Sequence, residues 1–341
     1  MKFHIILEAN NSHQRVAELA RLAESFGMEG LWVSNMHDSR DPFINFTEAA
    51  RTTEKIRMGP VAISPYELHP LKMANALLTL NEISEGRAHI GVGAGDGGTA
   101  TAMGLPAVRR VRAARECVEI IEAASTGEPV TYKGELYEVQ YYHLSWVSQP
   151  PPPVYVCAGG PQMIRSSAKY AQGIYLGDHL PEHVAAVNDV IRTEQASIGR
   201  DDPDFRLLNF WAWHVKENQD DARAEAAIWL AMRATPWPQF YHKGILPDEE
   251  MQIVWDNLKE INMAYYKRDP GLIKKTPKDI LNRLVDQCSA TSSIDNLDHE
   301  IDRIRRFEDA GLTDIALRVY DKPENSIRLI GESVMPAFNG V

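Results

Sequence analysis

The chain has 341 residues, of which 44% are hydrophobic and 24% are charged, and its formal net charge is −11. This composition is typical of a globular protein with a large core. The acidic balance argues against nucleic-acid binding, which depends on a basic surface. Three widely spaced cysteines form no metal-ligand pattern, and no stretch is typical of a signal peptide or a membrane-spanning segment. We therefore expect a cytoplasmic protein without a metal site or a membrane partner.

Short apolar segments with strand-like patterns alternate along the chain with segments in which apolar residues recur at helical spacing. We predict strands at 3–8, 30–34, 55–63, 87–93, 154–158, 173–177, 205–215 and 313–319. We predict helices at 13–26, 43–53, 70–84, 107–125, 161–171, 182–198, 220–233, 295–310 and 323–335. Eight strand–helix units over this length favour a closed (β/α)8 barrel, or TIM barrel, over an open doubly wound sheet.

Two regions interrupt the alternation, and we interpret both as insertions in one domain that spans 1–341. Residues 128–150 predict a small hairpin that turns at Lys133 and Gly134 and continues into a proline-rich segment. Residues 235–290 predict a mostly helical insertion rich in aromatic residues. This insertion either covers a substrate or only packs against itself.

Barrel enzymes place their active sites at the carboxyl ends of the strands, and polar residues follow several predicted strands here. They are Glu8, Asn10 and Asn11 after the first strand, Asn35, His37 and Asp38 after the second, Ser64 after the third, Asp96 after the fourth, and Asp178 and His179 after the sixth. Each of two carboxylates has a structural alternative: Glu8 as a buried carboxylate paired with a neighbour, and Asp96 as a cap of the next segment. We interpret His4, within a strand, and His69, at a predicted helix start, as structural histidines.

The segment 154–173 predicts an apolar strand, a glycine turn and the start of a helix. Gly159 and Gly160 would let the backbone approach a ligand closely, and Pro161 suits the first helical turn. The N–H groups from Gln162 onward would then lie at the positive end of a helix, where anions bind. The turn is therefore a candidate phosphate site, with an ordinary strand-to-helix turn as the alternative.

The glycines between 91 and 98 raise the alternative of a dinucleotide-binding loop. We predict against it, because the residues that follow do not start a helix at once and no acidic residue ends a next strand.

Six segments together resemble one known family. They are 27–34 (GMEGLWVS), 54–70 (EKIRMGPVAISPYELHP), 79–87 (TLNEISEGR), 91–96 (GVGAGD), 153–161 (PVYVCAGGP) and 326–336 (SIRLIGESVMP). In their order and spread they make the chain similar to the bacterial luciferase-like oxidoreductases, in particular to the coenzyme F420-dependent, methylenetetrahydromethanopterin reductase-like branch. The resemblance implies a (β/α)8 barrel, a deazaflavin cofactor and a homodimer. It also implies hydride transfer between C5 of the deazaflavin and a small organic substrate of the pterin, alcohol or enone class.

Two other functions stay open beside this one. An FMN-dependent monooxygenase of the same fold would activate oxygen. A catalytically silent barrel would bind its ligand without turnover.

The resemblance implies roles for particular residues. The cofactor phosphate would be held by Gly159, Gly160, Pro161 and Gln162. The peptide bond Val61–Ala62 would be cis and would lie under the central ring, with Asn35 and Ser64 near the edge of the ring. Asp96 would lie near the hydride-transfer site, and Asp96, Glu8 and His37 are the candidate catalytic residues.

The chain departs from the family at the end of the second strand, where many relatives have Asp-His and this chain has Asn35-Met36. An asparagine keeps the shape and an acceptor but loses the charge and adds donors. Met36 cannot transfer protons, so His37 is the candidate substitute. The basic groups that hold a sugar phosphate in the deazaflavin-dependent glucose-6-phosphate dehydrogenases have no clear match, which argues against that substrate.

Overall fold

The computed structural model describes residues 1–95, 97–105, 108–234 and 245–338. Its strands in these ranges are β1 (Lys2–Leu7), β2 (Gly30–Ser34), β3 (Arg57–Ile63), β4 (Ile90–Val92), β5 (Val130–Lys133), β6 (Glu138–Tyr142), β7 (Val154–Cys157), β8 (Gly173–Gly177), β9 (Arg206–Ala212) and β10 (Asp314–Arg318). Its helices are α1 (His13–Ser25), α2 (Pro42–Asn45), α3 (Thr47–Thr52), α4 (Pro70–Ile83), α5 (Gly97–Ala102), α6 (Arg110–Ala124), α7 (Pro161–Ser167), α8 (Pro181–Ala196), α9 (Gln219–Trp229), α10 (Ala231–Ala234), α11 (Asp248–Asp256), α12 (Leu258–Lys267), α13 (Lys278–Cys288), α14 (Leu297–Asp309) and α15 (Pro323–Leu329). Short 3₁₀ or π turns lie at Pro270–Leu272, Ile294–Asn296, Ile330–Val334 and Met335–Ala337.

Eight of these strands form a closed barrel in the order β1, β10, β9, β8, β7, β4, β3, β2. The recorded pairings between neighbouring barrel strands are parallel, including that of β1 with β10, which joins the two ends of the chain. The predicted (β/α)8 barrel is confirmed, because each of the eight predicted strands corresponds to one barrel strand. The other two strands, β5 and β6, form an antiparallel hairpin.

Large aromatic side chains fill the interior of the barrel. Trp32 of β2 lies edge-on to Tyr155 and Tyr175, with ring centroids 6.0 and 5.3 Å away, and stacks on His89 at 3.4 Å. Ile6, Leu208 and Ala316 belong to the same buried cluster. Side chains alternate between the two faces of each strand, so the inward-facing ones close the barrel into a packed core rather than a pore.

A buried polar network links β1, β2, β9 and β10 at the amino end of the barrel. His4 Nδ1 accepts a hydrogen bond from Trp32 Nε1 (3.2 Å), so His4 donates from Nε2 to Asp314 Oδ1 (2.8 Å). Arg206 binds the same carboxylate with two nitrogens. Burial works to raise the pKa of Asp314, but the hydrogen bonds from His4 and Arg206 and the charge of Arg206 outweigh it and hold that pKa well below its usual range. The interpretation of His4 as a structural histidine is confirmed.

The chain divides into two compact units, Met1–Gly177 with Val184–Phe210 and Ala310–Val341, and Asp178–His183 with Trp211–Asp309. In the first unit, α15, α1, α3, α4, α6 and α7 pack side by side in that order. In the second unit, α9 packs against α12 and α13, and Arg223 forms an ion pair with Asp286. The helices α11, α12 and α13 fall within the insertion predicted at 235–290, of which 235–244 lie outside the described residues. The prediction of one domain over 1–341 stays a prediction.

Two sequence predictions are wrong in detail. The helix predicted at 43–53 is two short helices, α2 and α3. The break lies at Phe46, whose N–H donates to the Phe43 carbonyl three residues back (3.3 Å), and the Thr47 hydroxyl donates to the Ile44 carbonyl (2.8 Å). A helix does follow the glycine-rich segment, since α5 begins at Gly97. Glycine has low intrinsic helix propensity, so the local sequence carried no signal for α5. The closed barrel itself excludes a dinucleotide-binding sheet of the doubly wound kind.

None of the described helices is long and apolar enough to cross a membrane.

Candidate active site at the carboxyl edge of the barrel

The carboxyl end of β3 lies very close to β4. The peptide bond between Val61 and Ala62 is cis. A Cβ on Gly91 would lie 2.9 Å from Val61 Cγ2, and one on Gly93 would lie 2.8 Å from Ala62 Cβ. Only glycine therefore fits at these two positions of the β4 segment, which lets the two backbones approach beside the cis bond.

Asn35, directly after β2, is held by two acceptors. Its Nδ2 donates to Glu67 Oε2 (2.6 Å) and to the Ala62 carbonyl (3.4 Å), while its backbone N–H donates to the Val61 carbonyl (3.1 Å). A carboxylate and a carbonyl can only accept, which fixes the amide nitrogen toward them and turns Oδ1 the other way. Glu67 was not among the residues selected from the sequence, because it lies four residues beyond the end of β3 rather than at a strand end.

Ser64 lies directly after β3 and is only 1% exposed. Its Oγ accepts from the Tyr66 N–H (3.1 Å), which leaves the hydroxyl hydrogen available to donate. Gly95 has a φ of +80°, and an added Cβ there would lie 3.2 Å from Ser64 Oγ. Ser64 therefore lies beneath the glycine segment after β4. Asp96, the next residue, lies outside the described residues.

Arg318, the last residue of β10, connects the ends of three neighbouring barrel strands. Its Nε donates to Glu8 Oε1 (2.9 Å), Nη2 donates to the same oxygen, and Nη1 donates to Ser34 Oγ. The guanidinium also lies over the rings of Phe210 (5.8 Å) and Tyr320 (5.5 Å). The Arg318 side chain is 11% exposed and the Glu8 side chain 29%. The arginine is thus a largely buried anchor for a more exposed carboxylate.

Glu8 is paired, as its structural alternative expected, but its side chain is not buried. The two oxygens of this carboxylate differ in their partners. Both Arg318 nitrogens reach Oε1, and no described residue donates a hydrogen bond to Oε2. A carboxylate held this way keeps one oxygen available to accept a proton or a hydrogen bond. Arg318 was missed from the sequence because it lies inside the strand predicted at 313–319, whereas in the structure it is the last residue of β10.

The predicted phosphate turn follows β7. Gly160 caps α7 with φ −90° and ψ 150°, and Pro161 is the first helical residue. The first intrahelical bond runs from Ile164 N–H to the Gly160 carbonyl (3.0 Å), so the N–H groups of Gln162 and Met163 precede it. An added Cβ on Gly160 would meet no atom within 4 Å. The turn therefore has the predicted form and faces open space, although α7 ends at Ser167 rather than at 171.

Two histidines near the barrel edge, the candidate His37 and the structural His69, have different environments. His37 is exposed in the turn after β2, and within the described residues no hydrogen bond joins it to Glu8, Asn35 or Ser64. His69 caps α4, where its Nδ1 accepts from the Leu71 N–H (3.2 Å), which confirms its structural role. In the structure, Asn35 is hydrogen-bonded to Ala62, and Glu8 and Ser34 are both hydrogen-bonded to Arg318. His37 belongs to neither group.

A closed parallel barrel with polar side chains along its carboxyl edge defines the class of (β/α)8-barrel proteins, whose active sites lie at that edge. The family model for the luciferase-like monooxygenases matches residues 1–314. The chain belongs to the luciferase-like monooxygenase family.

The similarity to individual relatives extends over nearly the whole chain. The chain is 28% identical over 340 residues to 5,10-methylenetetrahydromethanopterin reductase of Archaeoglobus fulgidus, covering 98% of this chain and 99% of that protein. Its structure is similar to that of the coenzyme F420-dependent tetrahydromethanopterin reductase from Methanopyrus kandleri, with a TM-score of 0.84, 24% identity and 99% coverage of both chains. An F420-dependent secondary alcohol dehydrogenase in complex with an F420–acetone adduct gives a TM-score of 0.78 at 18% identity, again with 99% coverage of both chains. At these identities the two solved structures show a shared fold.

Proposed function

We propose that this protein is a coenzyme F420-dependent oxidoreductase that transfers a hydride between C5 of the deazaflavin and a small organic substrate of the pterin, alcohol or enone class. The full-length similarity to a methylenetetrahydromethanopterin reductase carries this proposal. A relative named as an F420-dependent glucose-6-phosphate dehydrogenase, 29% identical over 171 residues, supports the cofactor. The sequence resemblance implies the same cofactor.

The residues at the carboxyl edge of the barrel fit a flat ring with a phosphate-bearing tail. The Gly159–Gln162 turn would hold a phosphate, because Gly160 faces open space beside two N–H groups at the start of α7. Val61 and Ala62 would support the ring, and Asn35 and Ser64 would hold its edge. When bound, the deazaflavin supplies the hydride-transfer chemistry, while the protein supplies orientation and electrostatics.

Glu8 is the described residue best placed to manage a proton. Arg318 holds its Oε1, so Oε2 stays oriented and available to a substrate N–H or O–H group. A positioned carboxylate of this kind can accept or return a proton as the substrate is reduced or oxidised. Asp96 and His37 stay candidate catalytic residues beside it.

The assembly and location follow the sequence expectations. We propose a single-domain homodimer in the cytoplasm. The family resemblance supports the dimer, and the location is supported by Cys117, Cys157 and Cys288, which form no disulfide with one another. Light scattering of the purified protein measures the oligomeric state, and a monomeric mass would contradict the dimer.

The test is a fluorescence titration of the purified apoprotein with F420 and, separately, with FMN. We expect saturable F420 binding much tighter than FMN binding, followed by turnover in a screen of pterin, alcohol and enone substrates. Tighter binding of FMN, with oxygen consumption when FMN is reduced, would replace the proposal by an FMN-dependent monooxygenase. Tight F420 binding without turnover of any substrate would favour the silent barrel.

A further inference from the structure

The neutral side chain of Asn35 lies beside the carboxylate of Glu67, a residue that was not selected from the sequence. The Asn35 Nδ2 to Glu67 Oε2 distance of 2.6 Å is short for a hydrogen bond between nitrogen and oxygen, as expected when the acceptor is charged. Glu67 comes from the loop after β3, whereas Asn35 follows β2, so the bond joins two adjacent strand ends. Both residues are half-buried.

The loop that carries Glu67 is itself fixed to the barrel. The Glu67 and Leu68 N–H groups donate to the Ser64 carbonyl at 3.0 and 3.1 Å, and the Tyr66 N–H donates to Ser64 Oγ. Ser64 is almost completely buried. The Glu67 backbone is therefore a rigid support, and its carboxylate is presented to Asn35 without a mobile segment in between.

An asparagine amide can bind in either of two orientations that exchange its oxygen and nitrogen. Here the Glu67 carboxylate and the Ala62 carbonyl both require a donor, so both select the orientation with Nδ2 toward them. Oδ1 then acts as an acceptor on the opposite side of the amide. The pyrimidine edge of a deazaflavin or a flavin carries one N–H donor between two carbonyl groups, and it needs an acceptor at that N–H.

We infer that Glu67 is a positioning residue for the cofactor: it locks the Asn35 amide so that Oδ1 accepts from the ring N–H of the pyrimidine edge. This inference rests on the proposed function, because it requires a deazaflavin or flavin ring at this edge of the barrel. Without the Glu67 carboxylate, only the longer bond to the Ala62 carbonyl (3.4 Å) would hold the amide in this orientation. The flipped amide presents Nδ2, which cannot pair with an N–H donor.

The test compares cofactor affinity in four variants with that of the wild type. Glu67→Leu removes the acceptor and is expected to raise the F420 dissociation constant about tenfold, the effect of one hydrogen bond. Glu67→Gln keeps a neutral acceptor and should retain most of the affinity.

Asn35→Asp places two carboxylates together, so binding should weaken at pH 8 and recover as the pH falls and the pair takes up a proton. Asn35→Asp combined with Glu67→Gln restores one donor and one carboxylate, and should bind within about threefold of the wild type.

The matched control is Glu54→Leu, an exposed glutamate just before β3, at the opposite end of the same strand. It should bind F420 like the wild type. Thermal melting of each apoprotein separates positioning from folding, because a purely structural role of Glu67 would lower the melting temperature along with the affinity.

The outcomes separate this inference from the proposed function. The wild-type titration alone decides between F420 and FMN. The affinity of each variant is then measured for the cofactor that the wild type binds, since both cofactors carry the same pyrimidine edge. Unchanged affinity in Glu67→Leu, or a double variant that binds no better than Asn35→Asp, would overturn the role of Glu67 while the proposed function stands. Binding of neither cofactor would overturn both.

Discussion

Two buried carboxylates, Glu300 and Asp314, respond to burial in opposite ways because their hydrogen-bond partners differ. Asp314 receives hydrogen bonds from His4, Arg206 and Thr313, and its pKa falls. Glu300, near the start of α14 and 1% exposed, lies 3.3 Å from an Arg303 nitrogen. Burial raises the pKa of Glu300 to about 7, and the charge of Arg303 offsets this only in part. A single ion pair of this length does not replace the lost hydration of a carboxylate.

Glu300→Gln is therefore expected to stabilise the protein at high pH. In the wild type, the folded pKa of about 7 exceeds the ordinary glutamate value of 4.5, so ionisation of Glu300 opposes folding fully above pH 7 and not at all below about pH 4.5. The glutamine should raise the free energy of unfolding by about 1–2 kcal/mol at pH 8, with the gain vanishing toward pH 5. Urea unfolding at a series of pH values measures this.

The exposed Asp302→Asn on the same helix serves as the control and should change little. A loss of stability in Glu300→Gln at pH 8 would mean that the ion pair with Arg303 outweighs the cost of burial.

Among secondary-structure elements, glycines in the barrel serve two distinct purposes. A Cβ on Gly59 of β3 would lie 1.7 Å from the backbone oxygen of His89, so glycine is required there for strand packing. A Cβ on Gly160, between β7 and α7, would meet nothing within 4 Å. The φ of −90° at Gly160 is also open to any residue. Packing does not require glycine at this position, and the space beside it is open to a ligand.

Gly160→Ala should consequently weaken cofactor binding without harming the fold. The added methyl group would occupy the open space beside the Gln162 and Met163 N–H groups, where the phosphate is proposed to bind. We expect the F420 dissociation constant to rise about tenfold. The melting temperature of the apoprotein should stay the same or rise slightly, because alanine restricts the unfolded chain. Equal F420 affinity in the variant and the wild type would remove the turn from the site.

For the whole molecule, the barrel closes through residues from opposite ends of the chain. His4 of β1 and Asp314 of β10 are 310 positions apart, and Arg206 of β9 adds a third strand to the same network. At the other end of the barrel, Glu8 and Arg318 repeat this closure with an ion pair of the same sequence separation. These contacts form only when the first and last strands pair.

Asp314→Asn is expected to destabilise the whole barrel. It removes a buried charge from between His4 and Arg206, so the free energy of unfolding should fall by about 3 kcal/mol at pH 7. Because the folded pKa of Asp314 is lowered, its stabilising effect is complete above the unfolded pKa of about 4 and is lost as the pH falls through the lower folded value. The difference between variant and wild type should therefore shrink below pH 4.

Urea unfolding of Asp314→Asn and of the exposed Asp204→Asn, followed from pH 7 to pH 3, measures this prediction. The control should differ from the wild type by less than about 0.5 kcal/mol throughout. A pH-independent loss in Asp314→Asn would show that shape rather than charge matters at this position.

The sequence by itself determined the eight strands, the closed barrel, the glycine turn between β7 and α7 and the edge on which the polar residues lie. These features depend on local patterns: the period of apolar residues, the glycine and proline at a turn, and the rule that parallel strands share a carboxyl edge. Only the tertiary structure decided which side chains meet at that edge. Arg318 reaches Glu8 and Glu67 reaches Asn35 because barrel closure and the loop after β3 bring distant residues within hydrogen-bond distance, and no local pattern in the chain encodes such pairs.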